Sequence, residues 1–565
     1  MIWKNNNVSD SVVAEKADAW KTSKILTRLL LNKNLVEKKD VERFINPTLD
    51  QLRNPFDFER MEEAVDKIIE LREKKQRIYI YGDYDVDGIT AASFLVLVFR
   101  EIGIDTRYYI PSRMEENYGL DKKTIDFIND REGKLVITVD TGANSIEDIR
   151  YAQNMGIEVI VTDHHKSTKE KFDEEYILIN PKLSENYKFK YLSGAGVALK
   201  LAQGVYQKLG ISQERLFNYL DIIMIGTVAD VVPMIDENRV IISKGLEVLN
   251  NTRVKGLVYL IRYLKFQNKN INTTDVSYFI SPLINSLGRI GVSKIGADFF
   301  IEEDDFKIYN IIEEMKRTNK IRRRLEKKIY DEAISMIEKK ISQKETQEPL
   351  SYIFLTSKNW HPGVVGVVSS RLSIKFGVPV ILVAIKNGVG KASCRSNNGI
   401  NIFNIFKNME DKLIRFGGHD LAAGFIAALD NLTEIEERFA KEIAELKTVR
   451  EEKVIDVDLE LSIDEVNEEL LEDIKLLSPY GLENQQPLFM DRGVYIKSME
   501  KFGVEGRHFN GILEKNKKEY PFIAFNLSNE IEQKDTDEKY DIVYYPEKIS
   551  VKGRERYGIK IKSIK

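Results

Sequence analysis

The stretch YGDYDVDG, residues 81–88, carries Asp83, Asp85 and Asp87 at alternate positions directly after the apolar run Ile78-Tyr79-Ile80. Carboxylates spaced this closely repel one another, so a loop that keeps three of them needs compensating partners. Further acids and imidazoles follow other β-like runs: Asp140 after KLVITV, and Asp163-His164-His165 after IEVIVT. In parallel α/β sheets functional groups gather at the carboxyl ends of the strands, so neighbouring strands would bring these residues to one rim. Asp230, in GTVADVVPM after an apolar helix-like stretch, can reach the same rim. Oxygen and imidazole donors without a thiolate suit Mn2+ or Mg2+ better than structural zinc. More acids than one ion needs point to two ions about 4 Å apart, the arrangement that clamps attacking and leaving oxygens in phosphoester hydrolysis.

Each piece alone has an ordinary structural reading. An Asp after a strand commonly closes a turn or caps a helix, and Asp87-Gly88 is placed to start one. Adjacent histidines are usually surface or packing residues. Delivery of ligand types by four separate element ends argues against coincidence. So does the pairing of His164 with His165 in a chain that has only five histidines.

A second group of residues offers phosphate donors. KASCRSNNGIN (391–401) contains Lys391, Ser393, Arg395 and Ser396, and RFGGHDLAAG (415–424) places His419 beside Gly417-Gly418. WHPGVVGVVSSRL (360–372) adds His361, a Gly-Val-Val-Gly bend and Arg371. Glycines let backbone N–H groups approach an anion closely. The GKAS tetrapeptide is not the end of a nucleotide-binding P-loop, because the Gly required five positions before Gly390 is Ile385.

The elements that must position these groups alternate as βαβ units: QRIYIYG, DTRYYIP, KLVITVD, IEVIVTD and YILINP as strands, TAASFLVLVFREIG and SIEDIRYAQNMG as helices. Residues 1–75 read as helices around an irregular INPTLDQLRNPFDF, and 194–300 as mostly helical. Residues 304–343 lack Pro and Gly and carry a broken apolar stripe (Ile308, Ile312, Met315, Leu325, Ile329, Met336), which predicts one long connecting helix. Polar SQKETQEP marks a boundary before a second α/β unit at 351–447. The segment 453–565 has short β-like runs (VYIKSME, YPFIAFNL, YDIVYYP, YGIKIKSI) and predicts a small barrel or sandwich.

Composition excludes several classes. With 565 residues, 43% hydrophobic and 31% charged, the chain reads as a multidomain globular protein. It contains no apolar run of membrane-spanning length. Its start, MIWKNNNVSD, lacks the pattern of a signal peptide, and the cytoplasm is expected. The single cysteine, Cys394, excludes an internal disulfide and a cysteine-built metal site. A net charge of −4 requires any phosphate-binding surface to be local.

DYDVDG, VDTG, TDHH and GTVADVVPM resemble the successive motifs of the DHH phosphoesterases. IPSRMEENYGL, PLINSLGRIG, WHPGVVGVVSSR, KASCRS and GGHDLAAG resemble the larger set of the RecJ single-strand-specific exonucleases, in the same order, over about residues 20–430. The resemblance implies an α/β architecture: helices and a DHH parallel-sheet domain (1–303), the long helix (304–343), a DHH-associated α/β domain (351–447) and an OB-like domain (453–565). It implies a 5′-to-3′ exonuclease on single-stranded DNA that releases nucleoside 5′-monophosphates with two Mn2+ or Mg2+ ions.

Carried over by motif, Asp85, Asp87, Asp140, His164 and Asp230 are metal ligands, with Asp83 close by or ligating, and Asp140 bridges both ions. His165 contacts the scissile phosphate, so the catalytic set is Asp85, Asp87, Asp140, His164 and His165. Arg113, Arg289, Arg371, Ser393, Arg395 and His419 hold substrate phosphates. Many DHH relatives carry a metal-binding His four residues before the first ligand Asp; this chain has Tyr81 there, so one site is expected to be weaker or completed by Asp83. A strand would run along the basic KRTNKIRRRLEKK face of the long helix and over the last domain, where Phe502, Phe509, Tyr520, Phe522 and Phe525 are stacking candidates. The resemblance further implies a monomer, with single-strand-binding protein and a RecQ-type helicase as partners in DNA repair and recombination. The alternatives are a DHH phosphodiesterase for short RNA or cyclic dinucleotides, an inorganic pyrophosphatase, and an inactive replication scaffold.

Overall fold

The computed structural model describes residues 2–5, 8–112, 119–166, 176–342, 350–396, 399–446, 454–503, 506–531, 534, 538–551 and 554–565. The chain divides into two compact units, one of residues 54–230 and 245–449 and one of residues 1–53, 231–244 and 450–565. Among the described residues no helix is long and apolar enough to cross a membrane.

The first unit contains a sheet of β1 (Arg77–Gly82), β2 (Thr106–Tyr109), β3 (Gly133–Val139), β4 (Glu158–Thr162) and β5 (Ile177–Ile179). The strands are all parallel in the order β2-β1-β3-β4-β5. The chain therefore leaves β1 to one side and returns on its other side. The crevice outside the carboxyl ends of β1 and β3 is the position where such sheets bind ligands. Helix α1 (Val86–Glu101) follows β1 and is buried along nearly its whole length against α2 (Gly194–Lys208) and α3 (Leu220–Ala229). Burial on all sides explains its run AASFLVLVF, apolar but for Ser93, whose hydroxyl donates to the Ile89 carbonyl.

A helical run from Thr273 to Ile290, with a π turn at Val276–Ile280, ends in α4 (Ser281–Ile290). The long helix α5 (Asp305–Ser342) has 38 residues, close to the predicted span, and is about 57 Å long at 1.5 Å per residue. Its buried stripe has two parts, Ile308-Ile312-Met315-Thr318 and Ile329-Ala333-Ile337, and the latter joins the core of the next sheet. The exposed Arg-rich stretch between them explains why the stripe looks broken in sequence. That next sheet comprises β6 (Ile353–Ser357), β7 (Val380–Lys386), β8 (Val389–Arg395), β9 (Arg415–His419) and β10 (Ala422–Ala428), in the order β9-β10-β8-β7-β6. Only β6 and β7 pair in parallel. Helix α6 (Val365–Phe376) covers it.

In the second unit, β11 (Phe489–Phe502), β12 (His508–Lys515), β13 (Lys518–Ala524), β14 (Lys539–Val551) and β15 (Arg554–Ile564) close as β11-β12-β13-β15-β14-β11. This is the five-stranded Greek-key barrel of an OB fold, with β13 and β15 parallel. Strand β12 is absent from the β-like runs of the sequence because Asn510-Gly511 interrupts its pattern. A Cβ on Gly511 would stand 2.0 Å from the Ser498 carbonyl oxygen, beside the register shift in β11. The glycine lets the barrel bend there.

The amino-terminal helices belong to this unit, not with the residues that follow them in the chain. Val13, Leu26, Leu29 and Leu30 share one apolar core with Leu470, Ile474, Phe489 and Ile496. Ile2–Asn5 pairs in parallel with Val454–Val457. Arg239 is buried among carbonyls, its guanidinium donating to those of Phe44, Leu476, Leu477, Ser478 and Pro479.

Candidate metal centre

Asp83, Asp85, Asp87 and Asp140 from the strand ends of the first sheet, with Asp230 from a helix end, reach one cluster. Asp85 caps α1, its Oδ1 accepting the N–H groups of Asp87 (3.0 Å) and Gly88 (3.2 Å). The helix-cap reading and the ligand reading are thus both open to the same side chain, which has a second oxygen to spare. Asp87 is buried and accepts the N–H groups of Gly194 (2.6 Å) and Ala195 (3.0 Å), the first turn of α2. Asp140 directly follows β3 with φ +61°, a left-handed conformation uncommon for residues other than glycine. Its N–H donates to the Thr162 carbonyl at 3.1 Å, extending the β3–β4 pairing by one residue.

Three sets of side chains each offer ligand atoms within 4.8 Å of one another: Asp83-Asp85-Asp140, Asp140-His164-His165, and Asp87-His164-Asp230. Asp140 and His164 each belong to two sets, so Asp140 joins the Asp83 side to the histidine side. His164 Nε2 lies 3.0 Å from Asp140 Oδ1, 3.5 Å from Asp230 Oδ2 and 3.8 Å from Asp87 Oδ2. Asp140 Oδ1 and His164 Nε2 are buried, yet neither has a hydrogen-bond partner among the described residues.

The electrostatics show what is lacking. Burial and the charge of Asp85 push Asp87 up to about 7. Burial and the surrounding carboxylates push Asp140 and Asp230 well above the usual range. Burial holds His164 well below the usual histidine value, which keeps its ring neutral and a lone pair available. An anionic cluster of oxygen donors with one neutral imidazole and two orphaned buried atoms fits divalent cations, Mn2+ or Mg2+ by donor type.

Asp163 has a different task. Its Oδ2 accepts the Ala143 N–H (3.0 Å), and its Oδ1 accepts the N–H groups of His164 (2.7 Å) and His165 (3.0 Å). The same Oδ1 meets the His165 Nδ1 at 2.8 Å. Burial opposes a proton on His165, but Asp163 overcomes it and holds the imidazole up at about 9. His165 stacks on His419, centroids 5.6 Å apart and planes at 14°. Burial and the neighbouring His165 charge draw His419 down. His419, at the end of β9, thus brings the second sheet against the rim, and Lys166 and Asp420 meet beside it at 3.4 Å.

The phosphate candidates are placed unevenly. Arg395 Nη1 donates to Ser393 Oγ (3.1 Å) and the Cys394 carbonyl (2.7 Å) at the end of β8. Both side chains face Gly366 in the first turn of α6, where a Cβ would stand 3.0 Å from Ser393 Oγ. Arg289 ends α4 and donates to the Gly363 carbonyl at 3.3 Å, which joins the LGR and WHPG segments. Arg371 pairs with Glu326 at 2.9 Å and lies over the Tyr330 ring, both on α5. Arg113 lies outside the described residues. Tyr81 belongs to the apolar core with Tyr109, and its hydroxyl donates to the Gly119 carbonyl at 2.7 Å. It is absent from the ligand sets, whereas Asp83 stands in one with Asp85 and Asp140.

Two supports escaped the sequence reading. Asp163 looked like one more ligand but anchors the two histidines. Gly194 donates to Asp87 and lies against Asp140. Its signal was Ser-Gly-Ala-Gly at the start of an apolar helical run, a capped helix amino terminus that attracts an anion.

Comparison with known proteins agrees with this geometry. The chain matches the DHH family, N-terminal domain, over residues 77–227, the DHHA1 domain over 349–445 and the RecJ OB domain over 457–563. It is 31% identical over 531 residues to the single-stranded-DNA-specific exonuclease RecJ of Bacillus subtilis, covering 93% of this chain and 66% of that protein. It thus spans about two thirds of that relative's length. It is 30% identical to the Haemophilus influenzae protein of the same name, covering 90% of each chain. The Thermus thermophilus RecJ structure in complex with Mn2+ superposes with a TM-score of 0.84 at 25% identity, covering 100% of this chain and 79% of that one. A manganese-bound exonuclease RecJ structure matches at 30% identity with a TM-score of 0.60, covering 72% and 99%.

Proposed function

The chain belongs to the RecJ family, and on that premise we propose that it is a single-stranded-DNA-specific exonuclease that removes nucleoside 5′-monophosphates from the 5′ end. The observation that carries this reading is the orphaned pair Asp140 Oδ1 and His164 Nε2, 3.0 Å apart inside a ring of buried carboxylates. Asp83, Asp85, Asp87, Asp140, His164 and Asp230 would hold two Mn2+ or Mg2+ ions, with Asp140 shared between them. Such a pair supplies activation of water and charge neutralisation at phosphorus.

The remaining groups act on the substrate. His165, kept protonated by Asp163, presents its other nitrogen as a cationic donor to the scissile phosphate. Ser393, Arg395, Arg289 and His419 grip backbone phosphates along the cleft, and Arg371 is held beside them by Glu326. Phosphate contacts of this kind fix the strand without reading its sequence. The barrel of the second unit has the fold of a single-strand-binding module. Residues 54–230 and 245–303 serve catalysis, 304–343 connection, 351–447 phosphate binding, and 453–565, with the amino-terminal helices that share its core, strand holding. A cytoplasmic monomer acting in DNA repair and recombination, recruited by single-strand-binding protein or a RecQ-type helicase, completes the reading.

Metal dependence tests it. Removal of divalent ions should abolish hydrolysis of single-stranded DNA, and added Mn2+ should restore it. Hydrolysis that survives chelation would contradict the assignment.

A further inference from the structure

The last strand of the first sheet brings a cation to the metal rim. Ile179 pairs with Thr162, so Asn180-Pro181-Lys182 leaves β5 alongside Asp163-His164-His165 leaving β4. Asn180 is fully buried and both ends of its amide are used: Nδ2 donates to the His165 carbonyl (3.0 Å) and Oδ1 accepts the Lys182 N–H (2.9 Å). One buried side chain thus ties the backbone of Lys182 to that of His165.

The Lys182 side chain is exposed, and its ammonium makes no hydrogen bond or ion pair among the described residues. The charges around it are those of the rim: Asp230, Asp163 and Asp140 attract it, Lys166 repels it, and it in turn disfavours a proton on His419. A lysine near so many carboxylates would ordinarily pair with one of them. Here it does not, although Asp230, Asp163 and Asp140 all act on it.

We propose that Lys182 is a substrate-phosphate ligand of this site, positioned by Asn180 so that its ammonium meets the same phosphodiester segment that His165 and His419 face. The inference rests on the exonuclease reading and adds a residue to it. An ammonium is a point charge with rotatable donors, suited to a non-bridging phosphate oxygen without demanding one orientation. Its contribution should therefore go mainly to binding.

The test compares wild type, Lys182→Ala, Lys182→Arg and Asn180→Ala. A 5′-phosphorylated oligothymidylate is used in equilibrium binding with Ca2+ and in steady-state kinetics with Mn2+. Lys182→Ala should raise Kd and KM about tenfold, change kcat less than about threefold, and flatten the salt dependence of binding by about 0.7 log units per log unit. Lys182→Arg should stay within about threefold of wild type. Asn180→Ala, if folded by thermal melting, should give an intermediate loss with the salt slope retained, because the ammonium is present but less well held. Kd, KM and salt slope for Lys182→Ala equal to wild type would overturn the proposal, as would a loss in Lys182→Arg as large as in Lys182→Ala. Absence of metal-dependent hydrolysis by wild type would instead remove the exonuclease reading, and the binding comparison would still decide on Lys182.

Discussion

A methyl group on Gly194 would stand 2.4 Å from the Cβ of Asp140, and the Gly194 N–H is itself 2.6 Å from Asp87 Oδ2. One backbone position therefore holds two of the proposed ligands, one by a hydrogen bond and one by close contact. Gly194→Ala should displace Asp140 and lower Mn2+-dependent hydrolysis at least tenfold, while overpacking costs about 1–3 kcal/mol of stability. Thermal melting and activity on the same sample check it. Full activity in a folded variant would show that the contact does not set the ligand geometry.

Asp140→Ala should reduce hydrolysis roughly a thousandfold or more if Asp140 is, as proposed, the ligand shared by both ions, since each tenfold is about 1.4 kcal/mol. The fold should survive, because the substitution also relieves repulsion among buried acids. A well-folded variant with more than about a tenth of wild-type activity at saturating Mn2+ would sink the bridging role.

Without metal, the acid cluster should make stability depend on pH. Asp87 is raised from 3.8 to about 7 by burial and Asp85, so between those values the folded protein binds more protons than the unfolded chain. Stability then falls as pH rises through that window. The metal-free Tm should drop from about pH 5 to about pH 7.5, and Mn2+ should restore most at the higher pH, since bound cations favour the ionised carboxylates. A Tm insensitive to Mn2+ at both pH values would contradict the cluster as a cation site.

Asp163→Asn should keep the ions but release His165. Outer partners of this kind are typically worth about 10–100-fold. The expected result is that loss in kcat with Mn2+ affinity within a few-fold of wild type, read by metal titration of activity. A loss of metal affinity matching the loss of rate would make Asp163 a ligand instead.

Much of the first sheet was legible because its strands are short apolar runs whose ends carry unusual residues. Asp83, Asp85, Asp87, Asp140 and His164 could be placed on one rim because strand ends at a switch point converge in such a sheet, whereas Asp230, at the end of a helix, and the ligand roles themselves came from the motif resemblance. What the sequence hides is contact between segments remote in the chain. Nothing in the helical pattern of Val13, Leu26, Leu29 and Leu30 says that their partners are Leu470 and Ile474, more than four hundred residues on. Removing the carboxyl-terminal segment would thus strip the amino-terminal helices of their core, and barrel function is better tested by surface substitutions. Asp163 was ambiguous for a related reason. Whether a carboxylate binds an ion or orients a histidine depends on where its oxygens point, and spacing does not encode that.

Arg395→Ala should weaken binding of all single-stranded sequences alike and flatten the salt slope by about 0.7, as expected for one single-strand phosphate contact. Fluorescence binding titrations at several salt concentrations measure it. A loss confined to certain base sequences would mean that Arg395 reads a base.

The most direct test of the whole account is a time course on one single-stranded oligonucleotide labelled separately at its 5′ and 3′ ends, with Mn2+ and with chelator. The account predicts that with Mn2+ the 5′ label appears at once as a mononucleotide, while the 3′ label remains on a shrinking ladder, and that chelator stops both. Release of the 3′ label first, or cleavage indifferent to the chelator, would contradict it.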